Sequence, residues 1–446
     1  MAKPRALISE STRALRGMVA VPGDKSISHR ALMLGSLAIG ETRVRGLLEG
    51  EDVLATAAAM RALGAQVGRH VDGTWRVSGL GVGGLAEPKG VLDMGNSGTA
   101  ARLLIGILAA HPFTAFLTGD ASLCARPMER VMEPLRQIGA SFVARTGGRL
   151  PLAVTGTASP IPIEYALPVP SAQVKSAVLF AGLGAPGRTT VIEREPTRDH
   201  SELMLRHFGA DVAVERLNHG GRAISIVGQP ELACRDVEVP GDISSAAFPL
   251  VAALLVPDSR VTIRNVGINP LRAGLVETLR DMGGVVEVVN RRDQGGEPIA
   301  DLVASTSALR GVDVPPERAP SMIDEYPIVA VAAALARGPT RLFGLTELRV
   351  KESDRLAAIA RGLTSAGVRV EEGKDSLVIH GLGGAPKGGA TIRVDLDHRI
   401  AMAFLVLGMV SRAPTTIDDA TPIDTSFPGF VDLMNGLGGR LGEAGA

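Results

Sequence analysis

The stretch from Val21 to Ala38, VPGDKSISHRALMLGSLA, decides the fold because it is one copy of a segment that the chain repeats. It opens with a Pro-Gly turn and the capping residue Asp24, includes the cations Lys25 and Arg30, and continues as an apolar run. A capping residue followed by an apolar run is typical of a helix N-terminus. The stretch therefore predicts an apolar helix whose first turn carries charged side chains.

Five later stretches open in the same way with small, capping or charged residues. They are GNSGTAARLLIGILAA at Gly95, PSAQVKSAVLFAGLGA at Pro170, PGDISSAAFPLVAALL at Pro240, PSMIDEYPIVAVAAALA at Pro320 and DLDHRIAMAFLVLGMV at Asp395. Each is followed by a turn, a short β-rich run and a second, amphipathic helix, and in most copies a glycine then leads into a Val-rich strand. This pattern predicts an α/β fold of six βαβαββ repeats.

Two domains of three repeats each are the simplest division of the chain. Its 446 residues exceed what one hydrophobic core usually organises, which is on the order of 250 to 300 residues. The best boundary lies between Arg235 and Pro240, ahead of the fourth repeat. The segment before Val21 is free to join either half.

Composition excludes several classes of protein. The lysines and arginines together number 47, as do the aspartates and glutamates, and aromatic residues are only 3%. The chain therefore has neither the excess of basic residues nor the aromatic side chains that are typical of nucleic-acid binding proteins. Cys124 and Cys234 are too few for a disulfide framework and suit a reducing cytoplasm. The N-terminal residues lack a signal peptide's apolar core, and the apolar runs are shorter than a membrane span. We expect a cytoplasmic protein without a membrane segment.

Cations recur near the helix starts, where the helix dipole and free amides also attract anions. Taken singly, such a side chain is more often solvated than functional. Recurrence in several repeats favours instead a cationic cleft for phosphate and carboxylate groups, which arginine binds bidentately. The cations concerned are Lys25, Arg30, Arg126, Lys175, Arg198, Lys351, Arg355 and Arg399.

Carboxylates among these cations are the candidates for proton transfer. Asp324 and Glu325 lie in SMIDEYP, and Glu352 lies between Lys351 and Arg355. An ion-pair network produces the same pattern, so Glu352 either moves a proton or orients its neighbours. The histidines show no metal-ligand spacing, and we expect no metal site.

Nine motifs, in order and over nearly the whole chain, give a resemblance to a known family. They are PGDKSISHR, GNSGT, RPM, SAQVKSA, TRDH, DEYP, RVKESDRL, DHRIAMA and TSFP. The chain resembles the 3-phosphoshikimate 1-carboxyvinyltransferases, also called EPSP synthases, and especially their class II bacterial branch. The resemblance implies the two-domain enolpyruvyl transferase fold, with residues 20–237 as one domain and 1–19 with 238–446 as the other. It also implies an interdomain cleft faced by the helix N-termini.

The family's reaction transfers the enolpyruvyl group of phosphoenolpyruvate to the 5-hydroxyl of shikimate 3-phosphate, in the shikimate pathway to chorismate and aromatic amino acids. The methylene carbon is protonated, the hydroxyl attacks the adjacent carbon, and the tetrahedral intermediate loses phosphate. The implied partners are these two small molecules, with no cofactor and no metal. We expect a monomer that binds neither nucleic acid nor membrane.

Roles carry over from the motifs by position. The residues matched to catalysis are Lys25, Asp324 and Glu352, where Asp324 faces the reacting hydroxyl and Glu352 is the proton donor to the methylene carbon. The shikimate 3-phosphate contacts are Lys25, Ser26, Arg30, Ser171, Gln173, Arg198, Asp324 and Lys351. The phosphoenolpyruvate contacts are Lys25, Gly98, Arg126, Gln173, Arg355 and Arg399.

One departure from the family pattern affects a phosphate contact. Asp424 and Thr425 precede SFP where many relatives carry a lysine that helps bind phosphoenolpyruvate, so one phosphate contact is missing or supplied elsewhere.

Two alternatives to the family's function are also considered. The enzymatic rival is UDP-N-acetylglucosamine 1-carboxyvinyltransferase, whose reactive cysteine is replaced here by Ala121. A non-catalytic phosphometabolite-binding protein is the other alternative, and it predicts loss of Asp324 or Glu352, which are both present.

Overall fold

Short strands and helices alternate throughout residues 4–218 and 220–445, which a computed structural model of the chain describes. The strands are β1 (Leu7–Ser9), β2 (Arg16–Ala20), β3 (Ile39–Arg45), β4 (Gln66–Arg69), β5 (Trp75–Leu80), β6 (Leu92–Asp93), β7 (Thr114–Thr118), β8 (Ser141–Arg145), β9 (Arg149–Thr155), β10 (Glu164–Ala166), β11 (Arg188–Glu193), β12 (Val212–Arg216), β13 (Arg222–Val227), β14 (Val237–Glu238), β15 (Arg260–Gly267), β16 (Val285–Gln294), β17 (Glu297–Ser305), β18 (Asp313–Val314), β19 (Arg337–Leu342), β20 (Arg369–Glu372), β21 (Leu377–Leu382), β22 (Thr391–Ile392), β23 (Thr415–Ile417) and β24 (Leu441–Glu443). The helices are α1 (Lys25–Leu37), α2 (Glu51–Ala62), α3 (Gly98–Leu108), α4 (Ala121–Ala125), α5 (Glu129–Ile138), α6 (Ala172–Gly182), α7 (His200–His207), α8 (Ile243–Leu255), α9 (Gly274–Asp281), α10 (Ala319–Met322), α11 (Tyr326–Leu335), α12 (Arg355–Ser365), α13 (His398–Gly408) and α14 (Phe430–Gly436).

The strands form four-stranded sheets that share one topology. In the sheet ordered β6-β7-β9-β8, β6 pairs with β7 in parallel, β7 pairs with β9 antiparallel, and β9 pairs with β8 antiparallel. A parallel pair needs a crossover, which the first helix of the repeat supplies, and the last two strands form a hairpin. Six four-stranded sheets, each with one parallel pair at an edge, occur among the described residues, and the predicted βαβαββ repeat is confirmed.

The chain divides into two compact units. The first unit is Gly23–Val239 together with Gln294–Glu297, and the second is the described part of Met1–Pro22, Pro240–Asp293 and Pro298–Ala446. The predicted boundaries, at residues 19/20 and 237/238, fall within three residues of these. The assignment of Gln294–Glu297 to the first unit has no counterpart in the sequence prediction.

Two repeats each take a strand from a distant part of the chain. The strand β2 pairs in parallel with β15 of the second unit, and β14 pairs in parallel with β3 of the first unit. The N-terminal β1 lies between β23 and β24 and completes the sixth sheet. The segment before Val21, which the repeats alone left unassigned, therefore belongs to the second unit.

The first helix of each repeat lies in the core of its unit. In the first unit α3 packs against α1 and α6, and in the second α8, α11 and α13 pack against one another. These helices are buried over nearly their whole length, because an apolar surface on all sides of a helix can only be satisfied by packing on all sides. No helix in the described residues is long and apolar enough to cross a membrane.

The close approach of α3 and α6 depends on Gly106. A Cβ atom at this position would lie 2.3 Å from the carbonyl oxygen of Ala177 and 2.6 Å from its Cα. Both are backbone atoms, so the helices would have to separate. We expect Gly106→Ala to lower the free energy of unfolding by about 1–3 kcal/mol, the usual cost of overpacking.

Urea denaturation measures the effect, with Gly436→Ala as the matched control. Gly436 is also helical but has no atom within 4 Å of an added Cβ, so alanine there should stabilise by about 0.5–1 kcal/mol. Equal effects of the two substitutions would contradict the packing argument.

Candidate active site

Side-chain caps fix the helix starts that carry the predicted site residues. Asp24 accepts a hydrogen bond from Ile27 N at the start of α1, and Ser97 accepts one from Ala100 N at the start of α3. Ser171 accepts one from Val174 N at 3.3 Å, so this predicted phosphate contact also caps α6. Each cap satisfies an otherwise free helix amide and holds the first turn in place.

Arg30 is held tightly by its neighbours in the first unit. It is 4% exposed, and its guanidinium donates to Ser26 O at 2.9 Å, to Ser176 Oγ at 2.9 Å and to Ser201 Oγ at 2.7 Å. Burial lowers the pKa of Arg30 to about 10, with Arg198 adding to the effect and nearby carboxylates opposing it. Arg198 therefore lies close enough to Arg30 for the two guanidinium groups to repel each other.

Lys25 and His29 lie on the same helix start as Arg30. The Lys25 ammonium donates to Asp52 at 2.8 Å, and both side chains are mostly buried. His29 lies between Thr56 and Ser97, 2.7 Å and 3.3 Å from their hydroxyl oxygens. Burial, with Lys25 and Arg30 adding to it, lowers the pKa of His29 well below its usual value. The histidine is thus neutral, and the positive charge at this helix start comes from Lys25 and Arg30.

A second group in the first unit brings three predicted residues together through Arg102. This arginine donates to Gln173 Oε1 at 2.8 Å and to Gly98 O at 3.4 Å, and Gln173 also donates to Thr99 at 3.0 Å. A Cβ on Gly98 would lie 2.8 Å from Arg102 Nη1 and 3.2 Å from Arg126 Nη1. Gly98, Gln173 and Arg126 are therefore neighbours.

Arg126 is held by the GNSG loop. Its guanidinium donates to Asn96 Oδ1 at 2.6 Å, to Asn96 O at 3.3 Å and to Ser122 Oγ at 3.0 Å. It is 8% exposed. Sequence reasoning missed Asn96 and Arg102, although both lie inside quoted motifs and Arg102 is one helical turn from Gly98.

Lys175 corrects the sequence analysis. It was expected among the cations of the cleft, but it is fully buried and pairs with Glu193 at 3.1 Å and Glu202 at 2.7 Å. The expectation was wrong because Lys175 lies on the side of α6 that faces β11 and α7 within the unit. Its partners come from these elements, far along the sequence, where no local pattern announces them.

Arg355 organises the cluster of the second unit. It is completely buried and contacts Asp397 at 2.8 Å, Asp324 at 3.1 Å and Glu352 at 2.5 Å. Burial alone lowers the pKa of Arg355, but the three carboxylates outweigh it and raise the value above that of a free arginine. The guanidinium is a permanent positive charge that fixes Asp324 and Glu352 beside each other.

Lys351 and Arg399 complete this cluster. Lys351 Nζ lies 3.7 Å from Asp324, and Arg399 Nη1 lies 3.4 Å from the backbone oxygen of Asp324. Arg399 also lies 3.9 Å from the buried Glu325, one of the three carboxylates considered for proton transfer. Glu325 is 1% exposed and accepts a hydrogen bond from Ser244. Its burial suits a structural counter-charge.

Asp397, which sequence reasoning missed in DHRIAMA, is a buried neighbour of the candidate site. It caps α13 by accepting from Arg399 N at 2.9 Å, and its other oxygen accepts from Arg355 Nε. One buried carboxylate thus joins the starts of α12 and α13. The motif itself was visible, but its aspartate reads as an ordinary cap until Arg355 is placed beside it.

Thr425 supplies no positive charge near the position where many relatives carry a lysine. It lies in the 3-10 segment Thr421–Thr425 and donates its hydroxyl hydrogen to Pro422 O at 2.7 Å. Among the described residues, no group of three or more His, Cys, Asp or Glu side chains could hold a metal ion.

The family model described as EPSP synthase (3-phosphoshikimate 1-carboxyvinyltransferase) matches residues 9–434. The chain belongs to the EPSP synthase family. Among its relatives, the 3-phosphoshikimate 1-carboxyvinyltransferase of Paramagnetospirillum magneticum is 66% identical over 99% of this chain and 98% of its own length. The one from Rhodospirillum rubrum is 63% identical and covers 98% of each.

Solved structures agree with the family assignment. The EPSP synthase of Acinetobacter baumannii is 44% identical and aligns with a TM-score of 0.88, covering 99% of this chain and 100% of its own. The enolpyruvyl transferase NikO of Streptomyces tendae aligns with a TM-score of 0.77 at 19% identity over 99% of this chain. This more distant likeness supports the fold alone, which is the predicted enolpyruvyl transferase fold.

Asp397→Asn tests how far the Arg355 cluster depends on its buried counter-charge. The substitution keeps the shape but leaves Arg355 with one fewer carboxylate in a buried site, so we expect a loss of about 3–5 kcal/mol in the free energy of unfolding. Urea denaturation measures it. Asp313→Asn, at an exposed pair with Arg341, should cost less than about 1 kcal/mol, and a similar cost at both positions would argue against the cluster.

Proposed function

We propose that this chain transfers the enolpyruvyl group of phosphoenolpyruvate to the 5-hydroxyl of shikimate 3-phosphate and releases phosphate. The observation that carries the proposal is the pair of clusters in which buried partners hold cations at helix starts, within a chain of the EPSP synthase family. Arginines fixed in this way bind phosphate and carboxylate groups without a large loss of side-chain entropy. A monomeric state and a cytoplasmic location remain predictions from the sequence.

The first unit supplies most of the shikimate 3-phosphate contacts in this proposal. Arg198 and Arg30 attract the 3-phosphate, together with the hydroxyls of Ser26 and Ser171. Lys25, beside Asp52, contacts both substrates. Gln173 contacts both as well, since it lies in the group with Arg102 and Gly98. Gly98 and Arg126 of this unit contact phosphoenolpyruvate in the proposal, and so do Arg355 and Arg399 of the second unit.

The carboxylates of the second unit perform the proton transfers. Asp324 takes the proton of the attacking hydroxyl. Lys351 and Arg355, which pair with its carboxylate, stabilise negative charge on the reacting groups. Glu352 donates a proton to the methylene carbon, and a proton leaves the resulting methyl group when phosphate departs, which re-forms the carbon–carbon double bond. In the unliganded protein Glu352 is paired with Arg355, so an anion bound to Arg355 weakens this pair and increases the proton affinity of the glutamate.

A coupled assay of phosphate release tests the proposed function. Phosphate should appear only when phosphoenolpyruvate and shikimate 3-phosphate are both present, and EDTA should leave the rate unchanged. Turnover with UDP-N-acetylglucosamine instead would establish the rival activity. Binding of both ligands without phosphate release would establish a non-catalytic protein, and loss of the rate in EDTA with rescue by a divalent ion would overturn the metal-free mechanism.

Substitutions should separate proton transfer from substrate binding. Asp324→Ala and Glu352→Gln should lower kcat about 10² to 10⁴-fold, because a positioned acid or base contributes that much. Arg126→Ala should chiefly raise the KM for phosphoenolpyruvate, since a cationic clamp already acts in the ground state. Steady-state kinetics on folded variants decides the matter. Glu371→Gln, an exposed glutamate beside Arg369, is the control, and unchanged kcat in both carboxylate variants would refute the assignment.

Gly98 should determine sensitivity to glyphosate, which the family resemblance places in the phosphoenolpyruvate pocket. A methyl group at Gly98 would press on the guanidinium groups of Arg102 and Arg126. The flexible ends of these arginines would have to shift, and the lost space should weaken binding of the longer inhibitor more than binding of the substrate. We expect the inhibition constant for glyphosate to rise at least about tenfold in Gly98→Ala.

Inhibition measured against phosphoenolpyruvate checks this prediction. Gly90→Ala is the control, since an added Cβ there has no atom within 4 Å. Equal inhibition constants for wild type and Gly98→Ala, or tighter inhibition of the variant, would remove Gly98 as the determinant.

A further inference from the structure

Lys175 forms a buried ion triad with Glu193 and Glu202. The three side chains are 0%, 1% and 2% exposed. The ammonium group donates to Glu202 Oε1 at 2.7 Å, to Glu193 Oε2 at 3.1 Å and to the backbone oxygen of Thr197 at 3.3 Å. An ammonium group has three donors, so these contacts use its whole capacity. The triad joins α6, the end of β11 and the start of α7 within the first unit.

The triad holds the loop that leads to Arg198. Glu193 accepts hydrogen bonds from Thr197 N at 3.2 Å and from Thr197 Oγ1 at 2.7 Å, while the oxygen of Thr197 accepts from Lys175. Thr197 is therefore fixed at its amide, its hydroxyl and its carbonyl. Arg198 is the next residue, so the direction in which its backbone leaves this loop is set by the triad.

The same pair of helices holds Arg30. Ser176 follows Lys175 on α6, and Ser201 precedes Glu202 on α7. The two serine hydroxyls lie 2.6 Å apart and both accept from the Arg30 guanidinium. The separation of α6 and α7 at this point thus fixes the triad and the Arg30 site together.

The charges of the triad constrain its geometry in addition to the packing of the helices. One ammonium faces two carboxylates, and burial raises the pKa of Glu202 although Lys175 opposes the effect. The neighbouring Arg30 interacts favourably with Glu202 and supplies a further positive charge. A buried charge that loses a partner destabilises the folded protein. The arrangement in which every member of the network keeps its partners is therefore favoured over all others.

We propose that the Lys175–Glu193–Glu202 triad is a positioning device that aims Arg198 and Arg30 at the phosphate of the acceptor substrate. Selectivity for a phosphorylated acceptor then depends on residues that do not touch it. The inference rests on the proposed function, because shikimate 3-phosphate is the ligand concerned. Lys175, Glu193, Glu202 and Thr197 are positioning residues, not catalytic ones.

Thr197→Val tests the proposal without leaving an unpaired buried charge. It removes the hydroxyl that donates to Glu193 and keeps the shape of the side chain. We expect the Kd for shikimate 3-phosphate, measured by calorimetry, to rise about tenfold, as for loss of one hydrogen bond to a charged group. The KM for phosphoenolpyruvate should change less than about twofold. Thr197→Ser keeps the hydroxyl and should restore the wild-type Kd.

Thr190→Val is the matched control. Thr190 lies on β11, the strand that ends at Glu193, and its hydroxyl is hydrogen-bonded to Ser225 at 2.9 Å, away from the triad. The two valine variants should lose similar thermal stability, but only Thr197→Val should weaken binding of shikimate 3-phosphate. A purely structural role would lower Tm in both and leave both Kd values unchanged, which would overturn the proposal.

Lys175→Met gives a stronger test if it folds, with the same loss of affinity expected in larger measure. An equal rise in the KM for phosphoenolpyruvate in Thr197→Val would overturn the selective role. Wild-type protein that neither binds shikimate 3-phosphate nor turns it over would overturn the proposed function, and this inference with it. Normal wild-type turnover with an unchanged Kd in Thr197→Val would overturn the inference alone.

Discussion

The constraint on which this structure depends is the repulsion between a cation and the positive end of a helix. A helix N-terminus favours anions, yet Lys25, Arg355 and Arg399 lie within the first turn of α1, α12 and α13. Each has a carboxylate partner: Asp52 for Lys25, Asp397 for Arg355 and Glu325 for Arg399. These partners stabilise the cation where it would otherwise be disfavoured.

The helix caps and the carboxylate partners of the cations both stabilise the helix starts. Asp397 does both jobs, since one oxygen caps α13 and the other binds Arg355. Asp24, Ser97, Ser171 and Asp242 cap α1, α3, α6 and α8, four of the other central helices. The result is a set of fixed positive charges with little freedom to move, which suits the proposed transfer between two substrates that repel each other. The balance of 47 basic and 47 acidic residues fits this pairing.

Much of the fold was predictable because each repeat has a recognisable local sequence pattern. A turn, a capping residue and an apolar run recur together, and this pattern predicts the start and the length of each central helix. The exchange of β2 and β14 between repeats was not predictable from the repeats, because a two- to five-residue strand carries no signal for its partner. The helix α12 begins at Arg355, where the cap Asp354 accepts a hydrogen bond from Ala357 N, so Lys351 and Glu352 lie ahead of the helix.

The site was predictable in part, and the misses share one cause. Motif positions located the cations and Asp324 and Glu352, and the structure groups them within each unit. The buried partners Asp52, Asp397 and Glu325 and the inward position of Lys175 depend on contacts between distant segments. Such contacts decide whether a first-turn cation faces a ligand or the core, and no local pattern reports them.

A crystal structure of the chain with shikimate 3-phosphate and a phosphoenolpyruvate analogue bound tests the central claim most directly. We predict that the 3-phosphate contacts Arg198 and Arg30, and that the anionic groups of the analogue contact Arg126, Arg355 and Arg399 while Asp397 still binds Arg355. Ligands bound elsewhere, with these guanidinium groups engaged only by protein carboxylates and amides, would contradict the account.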